Sequence, residues 1–422
     1  VQPHKQQRGA ATLVVTLVLL FVMSLVVAYT NRNLLYEQKA SANQYRSTQA
    51  FEAAEAGLEW ALALINSNER LGPDCLPSSD AGSASFRERY LEYVAATGSY
   101  TPRTWNDAGA SVALQPGCVR TDTGWACSCP SGGNPSLAAP VGAGAYPAFA
   151  LHFVAADRAG MVHVVATGCD RVVAACIPGA AAGKGDAMAR LQVSLGLLPA
   201  LAKPPQAALT ALAGVTASGE LRLSNTDSEG AGITVKAGGG IAMPLAHLST
   251  LPGVPVAASL AGNDASLASL GGDAMFSYFL GLDKVRWQQQ PGVHSLACPD
   301  PCESALELAL GPDLTNPLVW VTNDLRLGGA RVIGSPEHPV LLVVEGQVQL
   351  SAGVVIHGLI YSLAARWDTT GSSSAQVHGA VISNGDVVGD GRPELFYDAA
   401  VLKLLHDNAG TFTRVPGSWR DF

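Results

Sequence analysis

Charge is scarce in this chain. Lys and Arg total 26 and Asp and Glu 34, which is 14% of 422 residues with a net charge of −8. A double-stranded nucleic-acid interface needs a basic stripe, so the balance excludes that partner class. The common catalytic signatures are missing too. No G-x-S-x-G and no H-E-x-x-H occurs, which removes the nucleophile elbow and the two-histidine zinc helix. The stretch Gly179-Ala180-Ala181-Ala182-Gly183-Lys184-Gly185 is too short between its glycines for a phosphate loop. It also lacks the Ser or Thr after the lysine. It reads as a Gly-rich loop between strands.

Charge disappears altogether between Arg8 and Arg32. What fills that interval is an apolar run, residues 10–30, preceded by His4-Lys5-Gln6-Gln7-Arg8-Gly9. At ~1.5 Å per residue it spans ~30 Å, the thickness of a bilayer core. A secretory signal would be shorter and end in a small-x-small site. The helical pattern instead continues to about residue 66 without a proline. Phe51, Ala54, Leu58, Ala61 and Ile65 recur at spacings of three and four, one face of a helix. Glu52, Glu55 and Glu59 fall on other faces. A membrane anchor with a coiled-coil stalk is one reading of this rod, but the stripe is Ala-rich and short for a sustained coiled coil. Basic residues before the span and the bulk of the chain after it give an N-in, C-out orientation.

Three features occur together and in order: the leader Gln6-Gln7-Arg8-Gly9, the apolar run beginning Ala10-Ala11-Thr12-Leu13-Val14-Val15, and the block Gln49-Ala50-Phe51-Glu52-Ala53-Ala54-Glu55-Ala56-Gly57-Leu58-Glu59. The combination resembles the N-terminus of PilX-type minor pilins of type IV pili. The resemblance covers about the first 68 residues. It implies cleavage by prepilin peptidase between Gly9 and Ala10 on the cytoplasmic side, followed by N-methylation of Ala10. It also implies storage of the helix in the inner membrane, with the body in the periplasm, and later extraction into a pilus. Partners would then be the inner membrane, spanned by Leu13, Val14, Leu17, Leu20 and Phe21, the peptidase, and other major and minor pilins through the N-terminal helix. Major pilins carry Glu at the fifth mature position, to pair with a neighbour's terminal amine. Here that position is Val14. The departure points to a minor, priming or tip subunit and away from a major one. A tip pseudopilin of type II secretion and a membrane-tethered periplasmic binding module remain as alternatives.

Eight cysteines follow the span: Cys75, Cys118, Cys127, Cys129, Cys169, Cys176, Cys298 and Cys302. An even number in an exported chain reads as a disulfide framework. Cys169 with Cys176 and Cys298 with Cys302 are local pairs. The other four are expected to pair within 75–129. A zinc reading of Cys118, Cys127 and Cys129 lacks a fourth ligand and the usual spacing.

The expected class is α+β. Residues 1–9 form the leader, 10–30 the transmembrane helix and 31–68 its amphipathic continuation. Residues 69–146 read as a disulfide-stapled loop region with one short helix near 86–96. Residues 147–200 supply strands at 149–155, 161–167 and 190–198. A three- or four-stranded antiparallel, pilin-like sheet laid on the helix would bury its stripe. After Pro199, Pro204 and Pro205, residues 201–422 form a β-rich C-terminal domain, with a helix within 261–281 and another over 399–406. There, Val355-Ile356-His357-Gly358 and Gln376-Val377-His378-Gly379 repeat at a spacing of 21 residues. Such a repeat suggests β-solenoid rungs with His357 stacked on His378. Turn chemistry accounts for Asn384-Gly385-Asp386 and Asp390-Gly391, against a calcium loop built on Asp386 and Asp390. Trp419 and Phe422 read as a clasp on the solenoid end; the terminus also resembles that of larger PilX-like proteins. No metal, cofactor or catalytic residue is assigned, and the chain reads as structural.

Overall fold

The computed structural model describes residues 8–80, 82–141, 146–180, 187–299, 302–311 and 317–422, with side chains from residue 11 onward. Most of the leader, residues 1–7, and Lys184 of the Gly-rich loop lie outside the described residues.

A single helix, Arg8–Ile65, runs 58 residues. Its two parts have opposite surroundings. Residues 11–45 are exposed throughout. From Ala50 onward, Ala53, Ala54, Leu58, Ala61 and Ile65 are buried. This second part lies on an antiparallel sheet. The strand order is Gly410–Arg414, Met188–Pro199, Met161–Cys169, Ala148–Ala155, Gly117–Thr121, Gly124–Ser128, and Arg420–Asp421 pairs a second stretch of Met188–Pro199. Alternation sets the faces. Leu191, Val193 and Leu195 enter the core shared with Ala54, Leu58 and Ile65.

The sheet has seven strands rather than three or four. One addition is the hairpin at 117–128, inside the region read as loops. The other is the C-terminus, which returns to pair with Met188–Pro199. Region 69–146 holds two further hairpins, Leu91–Val94 with Ser99–Pro102 and Thr104–Asp107 with Ala110–Ala113. The helix expected near 86–96 stops at Tyr90. Ser85 and Glu88 form a capping box that starts it, and pairing of Leu91–Val94 across the hairpin ends it. Tertiary pairing there outweighs local helical preference.

Disulfides join Cys75–Cys129, Cys118–Cys127, Cys169–Cys176 and Cys298–Cys302. The first three staple the helix-bearing part; the fourth lies in the C-terminal part.

Residues 207–397 form a stack of parallel coils. On one face the strands run Leu260–Ala261, Ile233–Ala237, Ala207–Ala211, Gln376–Ser383, Val354–Ser362, Val340–Val344, Leu318–Val321, Val293–Leu296. The spatial order is not the chain order. The chain enters mid-stack at Ala207 and builds outward to Ala261. It then returns over the outside through helices, including Gly272–Leu280, to the far end at Val293. From there it coils back until Gln376–Ser383 meets Ala207–Ala211. A stack wound in order would leave its two ends far apart. This permuted winding brings them together, and Ala200 N–H donates to Ala409 O at 2.8 Å. The whole stack is thus inserted between two adjacent strands of the antiparallel sheet.

Strand Val340–Val344 is buried on both sides. Leu342 and Val344 face the interior of the coil, whereas Leu341 and Val343 meet Phe276, Leu402 and Leu405 of the covering helices. That explains its unbroken apolar sequence. The helix expected over 399–406 is Ala399–Asn408, started by Asp398 accepting from Val401 N–H. Gly358 and Gly379 sit where the chain turns from one face to the next, at φ of 153° and 139°. A Cβ there would fall 1.8 Å from Val340 O and 2.0 Å from Gly358 O. The repeated His-Gly pair therefore marks a corner that only glycine can occupy.

Candidate assembly interface

The exposed helix is apolar yet hydrogen-bonded within itself. Leu13, Val14, Leu17, Leu20 and Phe21 are all more than half exposed. The few hydroxyls among them turn back on the helix. Thr16 Oγ1 donates to Leu13 O at 2.9 Å, Ser24 Oγ to Leu20 O at 2.7 Å and Thr30 Oγ1 to Val26 O at 2.9 Å. Such a surface suits lipid or other helices, because it leaves no polar group needing water. Tyr29 and Tyr36 follow at its end, with the Arg32 guanidinium 5.5 Å from the Tyr36 ring centroid. Aromatic and basic residues favour that position at a bilayer boundary. Gly9 and Ala10 lie in the first turns of the helix. Val14 presents an aliphatic side chain that is 59% exposed.

The helix is held to the body by close contact. A Cβ on Gly168 of strand Met161–Cys169 would stand 2.1 Å from Ala50 O and 2.4 Å from Ala54 N. The helix backbone therefore rests directly on Gly168. Gly57 does the reverse, making room for the Phe149 ring 2.9 Å from where its Cβ would be. The small residues of Q-A-F-E-A-A-E-A-G are thus a packing device. Its acids point elsewhere: Glu52 and Glu55 are exposed, and Glu59 pairs with Arg414 at 2.6 Å.

The far end of the helix enters a buried polar joint. Asn66 Nδ2 donates to Phe412 O at 2.9 Å, and Asn66 Oδ1 accepts from Phe412 N–H at 2.7 Å. Arg87 donates to Ile65 O at 3.1 Å, Asn408 O at 3.3 Å and Gly410 O at 3.0 Å. Its guanidinium lies 4.8 Å from the Phe412 ring centroid. Burial holds its pKa below the usual arginine value. Tyr100 donates to Asn408 Oδ1 at 3.0 Å, and burial pushes its phenol up to about 12. One guanidinium thus ties together the helix end, the returning strand and the last helix of the inserted stack. No sequence motif marked Asn66 or Arg87; apart from Leu62 O and Ile65 O, their partners lie more than three hundred positions away.

The C-terminal clasp closes on a different element from the one expected. Phe422 N–H donates to Arg190 O, and the Trp419 ring meets Phe51 at 6.2 Å. The tail covers the edge of Met188–Pro199, not the end of the stack. An unpaired sheet edge is the stronger demand.

The remaining candidates separate as follows. His357 and His378 stack on adjacent coils at 5.0 Å, and Phe396 continues the row at 4.9 Å. Asp386 lies in a strand, where its Oδ1 accepts from Gly214 N–H at 2.9 Å. Among the described residues no group of three or more His, Cys, Asp or Glu side chains is placed to hold a metal ion. Cys118, Cys127 and Cys129 are all taken up in disulfides.

Residues 8–59 match the family model described as PilX N-terminal. This PilX-type segment coincides with the exposed helix and its contact on Gly168, and ends before the joint at Asn66. No curated protein matches the sequence. The crystal structure of the competence-associated pilin ComZ from Thermus thermophilus aligns over 89% of this chain and 98% of its own, at 13% identity and a TM-score of 0.22. That correspondence is too loose to transfer detail.

Proposed function

We propose that this chain is a minor subunit of a type IV pilus, structural in role, which primes, caps or decorates the filament. The observation that carries the reading is the division of its helix. The segment 11–45 is exposed, apolar over its first half and internally satisfied, and belongs to a PilX-type match. Such a segment has two homes: the inner membrane before assembly and a bundle of pilin helices after it. Cleavage after Gly9 by prepilin peptidase would release it from the first to the second. Val14 supports an end position, since an aliphatic side chain cannot pair with a neighbour's amine in every repeat. The periplasmic body is held by disulfides, and no cofactor is assigned to it.

The experiment is deletion followed by electron microscopy with immunogold. Deletion should reduce piliation without removing the major pilin protein, and label should be sparse or at filament ends. Uniform label at major-pilin density would overturn the end position. Unchanged piliation would favour a membrane-tethered periplasmic module.

A further inference from the structure

The helix-bearing part has two attachments, and they leave from opposite ends. The exposed helix enters at one end, where Ala50 and Ala54 rest on Gly168. Gly168 pairs with Ala189, near the start of strand Met188–Pro199. The coil stack leaves at the other end, where Pro199 pairs with Gly410. Contacts of Phe51 with Trp419, Glu59 with Arg414 and Asn66 with Phe412 mark the course of the helix between them. The helix therefore runs alongside Met188–Pro199 in the same direction. At ~3.3 Å per strand residue the two attachments stand ~30 Å apart.

Drawing the exposed helix away from the stack loads this block along its strands. Met188–Pro199 is then pulled from its Pro199 end against Met161–Cys169, to which it is paired over that strand's full nine residues. Ladder hydrogen bonds lie perpendicular to the strands, so an axial pull strains all of them together and not one after another. Gly410–Arg414 starts at the same end and is drawn the same way. Asn66 and Arg87 sit where that load enters. They tie the helix end to Phe412, Asn408 O and Gly410 O.

The cross-links lie on the same path. Between the helix end and Pro199, Cys75–Cys129 and Cys169–Cys176 close loops of 54 and 7 positions. Cys118–Cys127 falls inside the first loop. At ~3.3–3.6 Å per residue the two loops withhold roughly 200 Å of chain from extension. We propose that the helix-bearing part is a tension-bearing link between the exposed helix and the coil stack, loaded in shear and limited in its extension by two disulfides. This stands on where the attachments leave the body and not on the filament reading. A chain that never enters a filament passes or fails its test in the same way.

The test is single-molecule pulling on the full chain in detergent. The native cysteines leave no free thiol, so thioether handles go to Ser41→Cys on the exposed helix and Gln206→Cys just before the stack. This pair should yield at several times the force of a second pair, Ser41→Cys with Asp421→Cys. In the second pair both handles sit at the Met188 end, since Asp421 pairs with Leu191, and the tail peels away bond by bond. Reductant added after attachment should lengthen the unfolding step of the first pair by roughly 200 Å. Equal forces for the two pairs overturn the proposal, because the block would then have no resisting direction. A step whose length reductant leaves unchanged also overturns it, because the disulfides would then lie off the load path.

Discussion

Replacing Asn66 by Ala tests whether the joint, rather than the helix stripe alone, holds the returning C-terminus. The side chain satisfies both backbone groups of Phe412, at 2.7 and 2.9 Å, inside a core where Phe412 is 1% exposed. Ala keeps only the Cβ and pairs with neither group. Each buried backbone group left without a partner costs about 1–3 kcal/mol, so the variant should lose roughly 2–6 kcal/mol. The loss should concentrate on residues 410–422, whose remaining holds are the Met188–Pro199 edge, Arg87 on Gly410 O, the Glu59–Arg414 pair, the Thr411–Gln290 bond and the Trp419–Phe51 contact. Limited proteolysis of the full chain in detergent should release the tail faster, and Tm should fall by several degrees. Asn66→Asp keeps the acceptor but sets a buried carboxylate oxygen against the Leu62 and Phe412 carbonyls, and should cost at least as much. A variant within about 0.5 kcal/mol of wild type, with an unchanged cleavage pattern, would refute the reasoning, since that is the scale of an ordinary surface change.

Gly168→Val drives a side chain into the helix backbone at Ala50 and Ala54 and should abolish accumulation of the folded body, read by expression and circular dichroism; normal yield would contradict the contact. Cys75→Ser with Cys129→Ser should cost about 2–5 kcal/mol in chemical denaturation, and thiol counting on denatured wild type should find no free thiol. Burial and then the neighbouring His357 hold the His378 pKa below the ordinary histidine value, against the pull of Asp398. The unfolded chain therefore binds that proton first, so stability should be full above about pH 6.5 and decline as pH falls below it. His378→Phe keeps a ring between His357 and Phe396 and should flatten that slope; an unaltered slope would dismiss the stack as its source. Gly9→Leu should block maturation and leave the chain in the inner membrane, seen as a slower band on gels.

Much of the helix-bearing part is legible because its signals are local. The spacing of Ala54, Leu58, Ala61 and Ile65 and the absence of proline give the helix to within about three residues of Arg8–Ile65. Alternation in 190–198 gives the long strand. The small residues of the Q-A-F-E-A-A-E-A-G block are visible in the sequence, but their purpose appears only when Gly168 is seen against Ala50. The repeat at His357 and His378 exposes two coils because both turn at a glycine and both strands are rich in Val and Ile. The coils at 207–261 stay hidden: their strands are short, rich in Ala, Ser and Thr, and neighbour residues about 170 positions later in the chain. Permuted winding breaks the link between repeat order and spatial order, so no scan for a period recovers it. Asn66, Arg87 and the C-terminal tail fail for the same reason, since what defines each is a distant backbone group and not a neighbour in sequence.

Whether the exposed helix serves a filament is decided by mass spectrometry of sheared, purified pili from cells with active prepilin peptidase. Peptides of this chain are expected in the filament fraction, far below the major subunit in amount, with an N-terminus at Ala10. A chain confined to the membrane fraction and still carrying residues 1–9 would contradict it.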